Sequence, residues 1–219
     1  MAISDYASLQ TAMTSWALRS DLTSLYPDFI TLGEAKINRR LRIRSMETAL
    51  SLTCTPGTAT IALPARYVQM KSIYIDADPK VKLILVTPEQ RIFERPYSQN
   101  ARSRVFSVEG DYIYLAPIPN SSDNLSILYY QRFAPFSASS DTNWLLTNSP
   151  NTYVFGALYA SALMTGNDNG QKWLAAFMGS VTALNDADKS DRYSGGALTM
   201  RSSTGTTLPE RLVLAGSPA

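Results

Sequence analysis

The chain has 219 residues, room for one domain of ordinary size or one with an appendage, and its 45% hydrophobic content is enough to fill a core. The 20 basic and 18 acidic residues leave a net charge of +2, which argues against nucleic acid as the main partner, because such domains carry a large basic excess. With no histidine and one cysteine, Cys54, the sequence excludes a Ser-His-Asp or Cys-His pair, an N/S zinc site and an internal disulfide, and neither a metal nor another cofactor is expected.

The opening residues lack the basic segment and apolar stretch of a secretory signal. No run of about 18 apolar residues occurs, so no membrane partner is expected. A soluble product made and used in cytosol is the reading that follows.

Residues 5–20 read as a first helix, with Asp5 as cap and Leu9, Ala12, Met13, Trp16 and Ala17 at helical spacing. Pro27 suits the first turn of a second helix, expected over residues 27–48 and spanning about 30 Å. Ile30, Gly33, Ile37 and Leu41 form its apolar stripe. At Ala49 the period changes to alternation. Residues 50–63 read as two strands around the turn Thr55-Pro56-Gly57, and residues 67–76 and 81–86 as further strands separated by Ala77-Asp78-Pro79. Thr87 and Pro88 open a short helix or turn reaching about Arg95. Residues 104–108 and 111–116 form a hairpin folded at Gly110, and residues 125–132 the last strand. This spacing of short strands predicts a small antiparallel sandwich or barrel.

Helical spacing returns at Ser149-Pro150. Tyr153, Gly156, Ala157, Ala160, Ser161 and Met164 give a face of small side chains that lets another helix approach closely. After the turn at residues 166–170, Trp173, Phe177, Val181 and Leu184 recur at three- and four-residue steps. Beyond Tyr193, Ser194-Gly195-Gly196 reads as a hinge, followed by a Ser, Thr and Gly-rich stretch and the apolar patch Leu208, Leu212, Val213 and Leu214. An apolar patch on a polar tether reads as an anchor that docks elsewhere.

The predicted fold class is therefore α+β: an antiparallel helical bundle formed by N- and C-terminal helices, with an inserted small antiparallel β-domain and an extended C-terminal arm. The bundle takes residues 1–48 and 149–193, the β-domain 49–148 and the arm 194–219.

Chemistry-bearing motifs are weak. Asp76 with Asp78 and Asp186 with Asp188 have the spacing of acid pairs, but such positions favour aspartate for backbone reasons. No phosphate-binding loop occurs, and Asn167-Asp168-Asn169-Gly170 lacks the spaced glutamate of a calcium loop. A basic run is more informative. Lys36, Arg40 and Arg44 recur every four residues, with Arg39 on the flank and Arg42 further round. Such charges repel along a helix. They are either a solvated face or a surface for acidic neighbours or for DNA phosphates.

Residues 106–119 (Phe-Ser-Val-Glu-Gly-Asp-Tyr-Ile-Tyr-Leu-Ala-Pro-Ile-Pro), 125–132 (Leu-Ser-Ile-Leu-Tyr-Tyr-Gln-Arg) and 143–150 (Asn-Trp-Leu-Leu-Thr-Asn-Ser-Pro) carry a further signal. So does the opening helix pair with Phe29, Ile30, Glu34, Ile37, Asn38, Arg39, Leu41 and Arg42. Over about residues 5–190 the chain resembles head-to-tail adaptor proteins of tailed bacteriophages, the tail tubular A-like group of short-tailed phages. The resemblance implies a non-enzymatic virion protein at the head–tail junction, assembled in host cytoplasm. It implies a dodecameric ring beneath the portal protein that extends the DNA channel and receives a tail nozzle or tail tube protein. Partners would then be the portal, the tail protein, neighbouring copies and, by proximity, packaged double-stranded DNA. Lys36, Arg39, Arg40 and Arg44 become candidates for the interface or the DNA channel. Two other readings stand beside it, a different neck or tail-tube structural protein and a virion-associated cell-wall hydrolase working through acids alone.

Overall fold

The computed structural model describes residues 3–93 and 101–193. The arm, with Leu208, Leu212, Val213 and Leu214, lies outside the described residues.

Helix α1 (Tyr6–Ala17) starts where expected. Asp5 accepts a hydrogen bond from the Ser8 backbone N–H at 2.8 Å, and Ser8 Oγ accepts from the Asp5 N–H at 3.0 Å, a reciprocal cap. Helix α2 (Tyr26–Arg40) carries Pro27 in its first turn and buries Phe29, Ile30, Gly33 and Ile37. It stops well short of the expected Thr48. Leu41 is already extended, with φ −81° and ψ 130°. The reason is tertiary. Asn185 donates to the Arg40 carbonyl at 3.2 Å and accepts from the Arg42 N–H at 2.9 Å. Arg42 Nη1 donates to the carbonyls of Asn38 and Leu41. These partners satisfy the end of the helix. Arg44 consequently sits in a separate 3₁₀ turn, Arg44–Met46, and not on the helix.

Eight strands make two four-stranded sheets: β1 (Glu47–Thr53), β8 (Asn124–Gln131), β3 (Tyr67–Ile75) and β4 (Val81–Lys82) in that order, and β2 (Thr60–Ala62), β7 (Tyr112–Ala116), β6 (Val105–Glu109) and β5 (Ile84–Leu85). The strands flanking Thr55-Pro56-Gly57 thus fall in different sheets and do not pair with each other. Residues 81–86, read as one strand, serve both sheets. The Leu83 N–H donates to the Ile73 carbonyl in one sheet and the Ile84 N–H to Arg104 in the other, because successive N–H groups of a strand point to opposite edges. This crossing makes β5 parallel to β6, and the other pairs are antiparallel. Alternate side chains close the core between the sheets, among them Ile73, Ile75, Ile113, Leu115, Leu125 and Ile127. Helix α3 (Pro88–Phe93) is capped by Thr87, whose Oγ1 accepts from the Gln90 N–H at 3.2 Å.

Among the described residues, three further helices follow the sheets. The short α4 (Trp144–Asn148), capped by Asn143, was not expected and puts Leu145 and Leu146 into the bundle core. Helix α5 (Pro150–Thr165) ends on Gly166 at φ 65° and turns into α6 (Gly170–Tyr193). The small-residue face of α5 works as its composition implies. A Cβ on Gly33 of α2 would lie 3.2 Å from the backbone of Gly156 and Ala157, so the two helices meet backbone to backbone. Gly156 in turn receives the Phe177 ring of α6, with 3.3 Å from a Cβ there to the ring. Leu9, Met13, Tyr26, Tyr153, Phe177 and Val181 complete this second core. Large apolar side chains of this kind are worth about 1.5–3 kcal/mol each when fully buried.

Candidate interaction surfaces

Among the described residues no group of acid, cysteine or histidine side chains could hold a metal ion, and no helix is long and apolar enough to cross a membrane. Three of the four acids in the sequence's acid pairs are engaged in ion pairs. Asp76 meets Lys80 at 3.2 Å, Asp186 meets Lys189 at 3.3 Å, and Asp188 is shared by Arg44 and Arg192.

Lys36, Arg39 and Arg40 lie together on α2, and Arg44 lies off that helix. Lys36 lies 3.7 Å from the centre of the Tyr159 ring of α5, a cation–π contact. Its ammonium is held below the ordinary lysine range, first by burial and then by Arg40 and Arg39. Arg40 is exposed at the end of α2. Arg44 joins a network between α6 and the first sheet. Its Nε lies 3.1 Å from Asp188 and its Nη2 3.2 Å from Asp191. Arg192 bonds Asp188 at 2.6 Å and also bonds Glu47, which accepts from Lys71 at 2.7 Å. Burial alone raises the Asp188 carboxyl, but the Arg44 N–H and the two guanidinium groups outweigh it and hold the group below its ordinary value. This network links α6 to β1 and β3.

Arg39 also reaches a second group of cations. It lines a recess of about 460 Å³ between α2 and the first sheet together with Arg42 and Arg132, over a wall that includes Tyr67 and Val68. Spacing within α2 could not reveal this grouping, since Arg132 follows β8 and arrives from a distant part of the chain.

Inside the bundle, the Glu34 carboxyl faces the buried Tyr153 hydroxyl, which accepts a hydrogen bond from Asn143 Nδ2 at 2.8 Å. Burial pushes the Glu34 carboxyl up to about 7, against a smaller lowering by Tyr153. Glu34 Oε1 and, one turn later, Asn38 Oδ1 are buried without a hydrogen bond among the described residues. Sequence reading named Glu34 only among the residues of the opening helix pair that carry the resemblance. Its polar network comes from α4 and α5, which local pattern does not show.

Among the described residues, large apolar side chains stand exposed in several parts of the chain. On the β side, Ile84 (62%), Leu85 (61%) and Phe93 (84%) lie along edge strand β5 and the end of α3. On the helical side, Leu18 (87%), Leu163 (65%) and Met164 (61%) stand at the C-terminal ends of α1 and α5. An uncovered apolar edge strand is a pairing hazard unless another chain covers it, and patches of this type mark protein–protein contacts.

A family model described as SU10 adaptor protein matches residues 4–201, through both helical ends and both sheets. The chain belongs to the SU10 adaptor protein family. It is a bacteriophage adaptor, a structural component of the virion that meets other head and tail components. No curated protein matches the chain. Leu208, Leu212, Val213 and Leu214, read from the sequence as an anchor, fall outside the matched range.

Proposed function

We propose that the adaptor is the repeating subunit of a closed ring, dodecameric and non-enzymatic, that joins the portal protein to a tail nozzle or tail tube protein and extends the DNA channel, as in the short-tailed, tail tubular A-like group. The observation that carries this reading is the membership of the adaptor family together with two separate apolar surfaces on different parts of the chain. A head-to-tail ring needs two different patches per subunit, whereas a two-fold dimer reuses one. The helical end and the β5 edge supply two. In this arrangement the bundle docks under the portal, the β-domain points to the tail, and the arm reaches an adjacent subunit or the portal. Lys36, Arg39 and Arg40 then face neighbours or the passing duplex, while Arg44 chiefly ties α6 to the first sheet.

The test is assembly on purified portal rings, followed by single-particle imaging. One twelve-fold adaptor layer at a single face of the portal is the expected result. Stacked rings without portal would assign the chain to a tail tube instead, and absence of any portal-bound layer would reject the portal-joining role.

A further inference from the structure

We infer that the recess between α2 and the first sheet is a docking site for an acidic peptide segment of a partner protein. Three guanidinium groups from different elements line it: Arg39 at the end of α2, Arg42 just after it and Arg132 after β8. The residues that line it include no carboxylate, and among the described residues neither Arg39 nor Arg132 has an ion-pair partner. Cations at a helix C-terminus are favoured by the helix dipole, which accounts for Arg39 and Arg42. It does not account for Arg132, which comes from a strand end.

The site is also partly built. Arg42 is fixed by three hydrogen bonds, Nε to Gln69 at 3.2 Å and Nη1 to the carbonyls of Asn38 and Leu41 at 2.9 and 2.6 Å. Arg66 is held at φ 58°, a left-handed conformation uncommon for a side-chain-bearing residue, and its carbonyl receives the Arg132 N–H at 2.9 Å. That bond fixes the backbone from which Arg132 projects.

Guanidinium forks bind carboxylate and phosphate alike. The remaining wall decides between them. Val68 and Ala35 offer apolar surface that suits the methylene stem of a glutamate and has nothing to offer a phosphate. Duplex binding draws its strength from many phosphate contacts spread along the backbone, and one recess in a chain of net charge +2 does not supply them. The inference depends on the chain being an assembly subunit with protein partners, but its test uses the isolated full-length protein, so failure of the ring proposal would not affect the result.

The experiment is fluorescence anisotropy with labelled hexaglutamate and, separately, a labelled 20-base-pair duplex, against the wild type and the pair Arg39→Gln/Arg132→Gln. Both side chains are exposed. Should the pair lower the melting temperature, Arg39→Gln alone carries the test. A control of equal charge loss, Lys80→Gln/Lys82→Gln, lies near the opposite end of β3. Hexaglutamate should bind the wild type, lose about tenfold in affinity with the arginine pair, and bind the lysine control as it does the wild type. Absence of hexaglutamate binding, or equal loss in both variants, would overturn the proposal. So would a duplex that binds more tightly than the peptide and is released by the arginine substitutions, which would assign the recess to phosphate.

Discussion

Glu34 is a carboxyl that the fold disfavours in its charged form. Half-buried beside Tyr153, with Oε1 lacking a hydrogen bond among the described residues, it is pushed by burial up to about 7 from an ordinary value of 4.5. A group whose folded pKa is raised favours the folded state fully below the unfolded value, and that contribution is lost as pH rises through the folded one. Stability from Glu34 therefore declines between about pH 4.5 and about pH 7 and is constant above. Asp5, Asp21, Asp141, Glu47 and Asp188 have lowered values and act in the opposite direction, losing their contribution in acid. Glu34→Gln isolates the first effect, because glutamine keeps the shape and cannot ionise. At pH 8 the variant should be more stable by about 1–2 kcal/mol, allowing for solvent screening of a half-buried group, and near pH 4 the two proteins should converge. Thermal unfolding across this range reads the difference as a shift of about 2–4 °C per kcal/mol. A variant equal to wild type at pH 8 would mean that water solvates the Glu34 carboxylate within the bundle.

At the scale of elements, the crossing of α2 and α5 depends on two glycines whose absent side chains allow backbone contact. Alanine is the better helix former by about 1 kcal/mol, yet at Gly33 its methyl group would press on backbone that cannot rotate away. Gly33→Ala should destabilise by a net 1–2 kcal/mol or so, overpacking outweighing propensity. Gly179→Ala on α6 meets nothing within 4 Å and should stabilise by about 0.5–1 kcal/mol. Denaturant melts of the two variants should therefore move in opposite directions. The small-residue face of α5 was legible because its partners are spaced along one helix. The end of α2 was not, because Asn185 caps it from 143 residues away while the local sequence continues to favour helix. The split of residues 81–86 was hidden for a similar reason. Leu83 and Ile84 have ordinary strand composition, and only the position of two other strands decides where their N–H groups go. The basic candidates show the same limit. Their spacing was real, but Tyr159, Asp188, Asp191 and Arg132 determine what each cation does, and none of these lies near α2 in sequence.

For the whole molecule, the ion-pair network around Asp188 and Glu47 holds the last turns of α6 against the first sheet. The last described turn of α6 therefore lies beside β1 and β3. The arm's proposed anchor begins at Leu208, fifteen residues beyond Tyr193, a span of up to roughly 50 Å for an extended chain. That reach covers a neighbouring subunit as easily as the chain's own surface. Burying Leu208, Leu212, Val213 and Leu214 would contribute about 1.5–3 kcal/mol each. Ordering the backbone of the seven residues 208–214 alone costs about 1–2 kcal/mol per residue. The two nearly cancel, so docking depends on assembly holding the target close and raising its effective concentration. Truncation after Tyr193 should leave the melting temperature of the isolated adaptor within about 1 °C of wild type, since surface changes are worth little, and should reduce its incorporation onto portal rings in a competition with full-length protein. Incorporation at equal ratios would remove the anchor role. A fall of several degrees in melting temperature would place Leu208, Leu212, Val213 and Leu214 on their own bundle, and the ring would then be held by the helical end and the β5 edge alone.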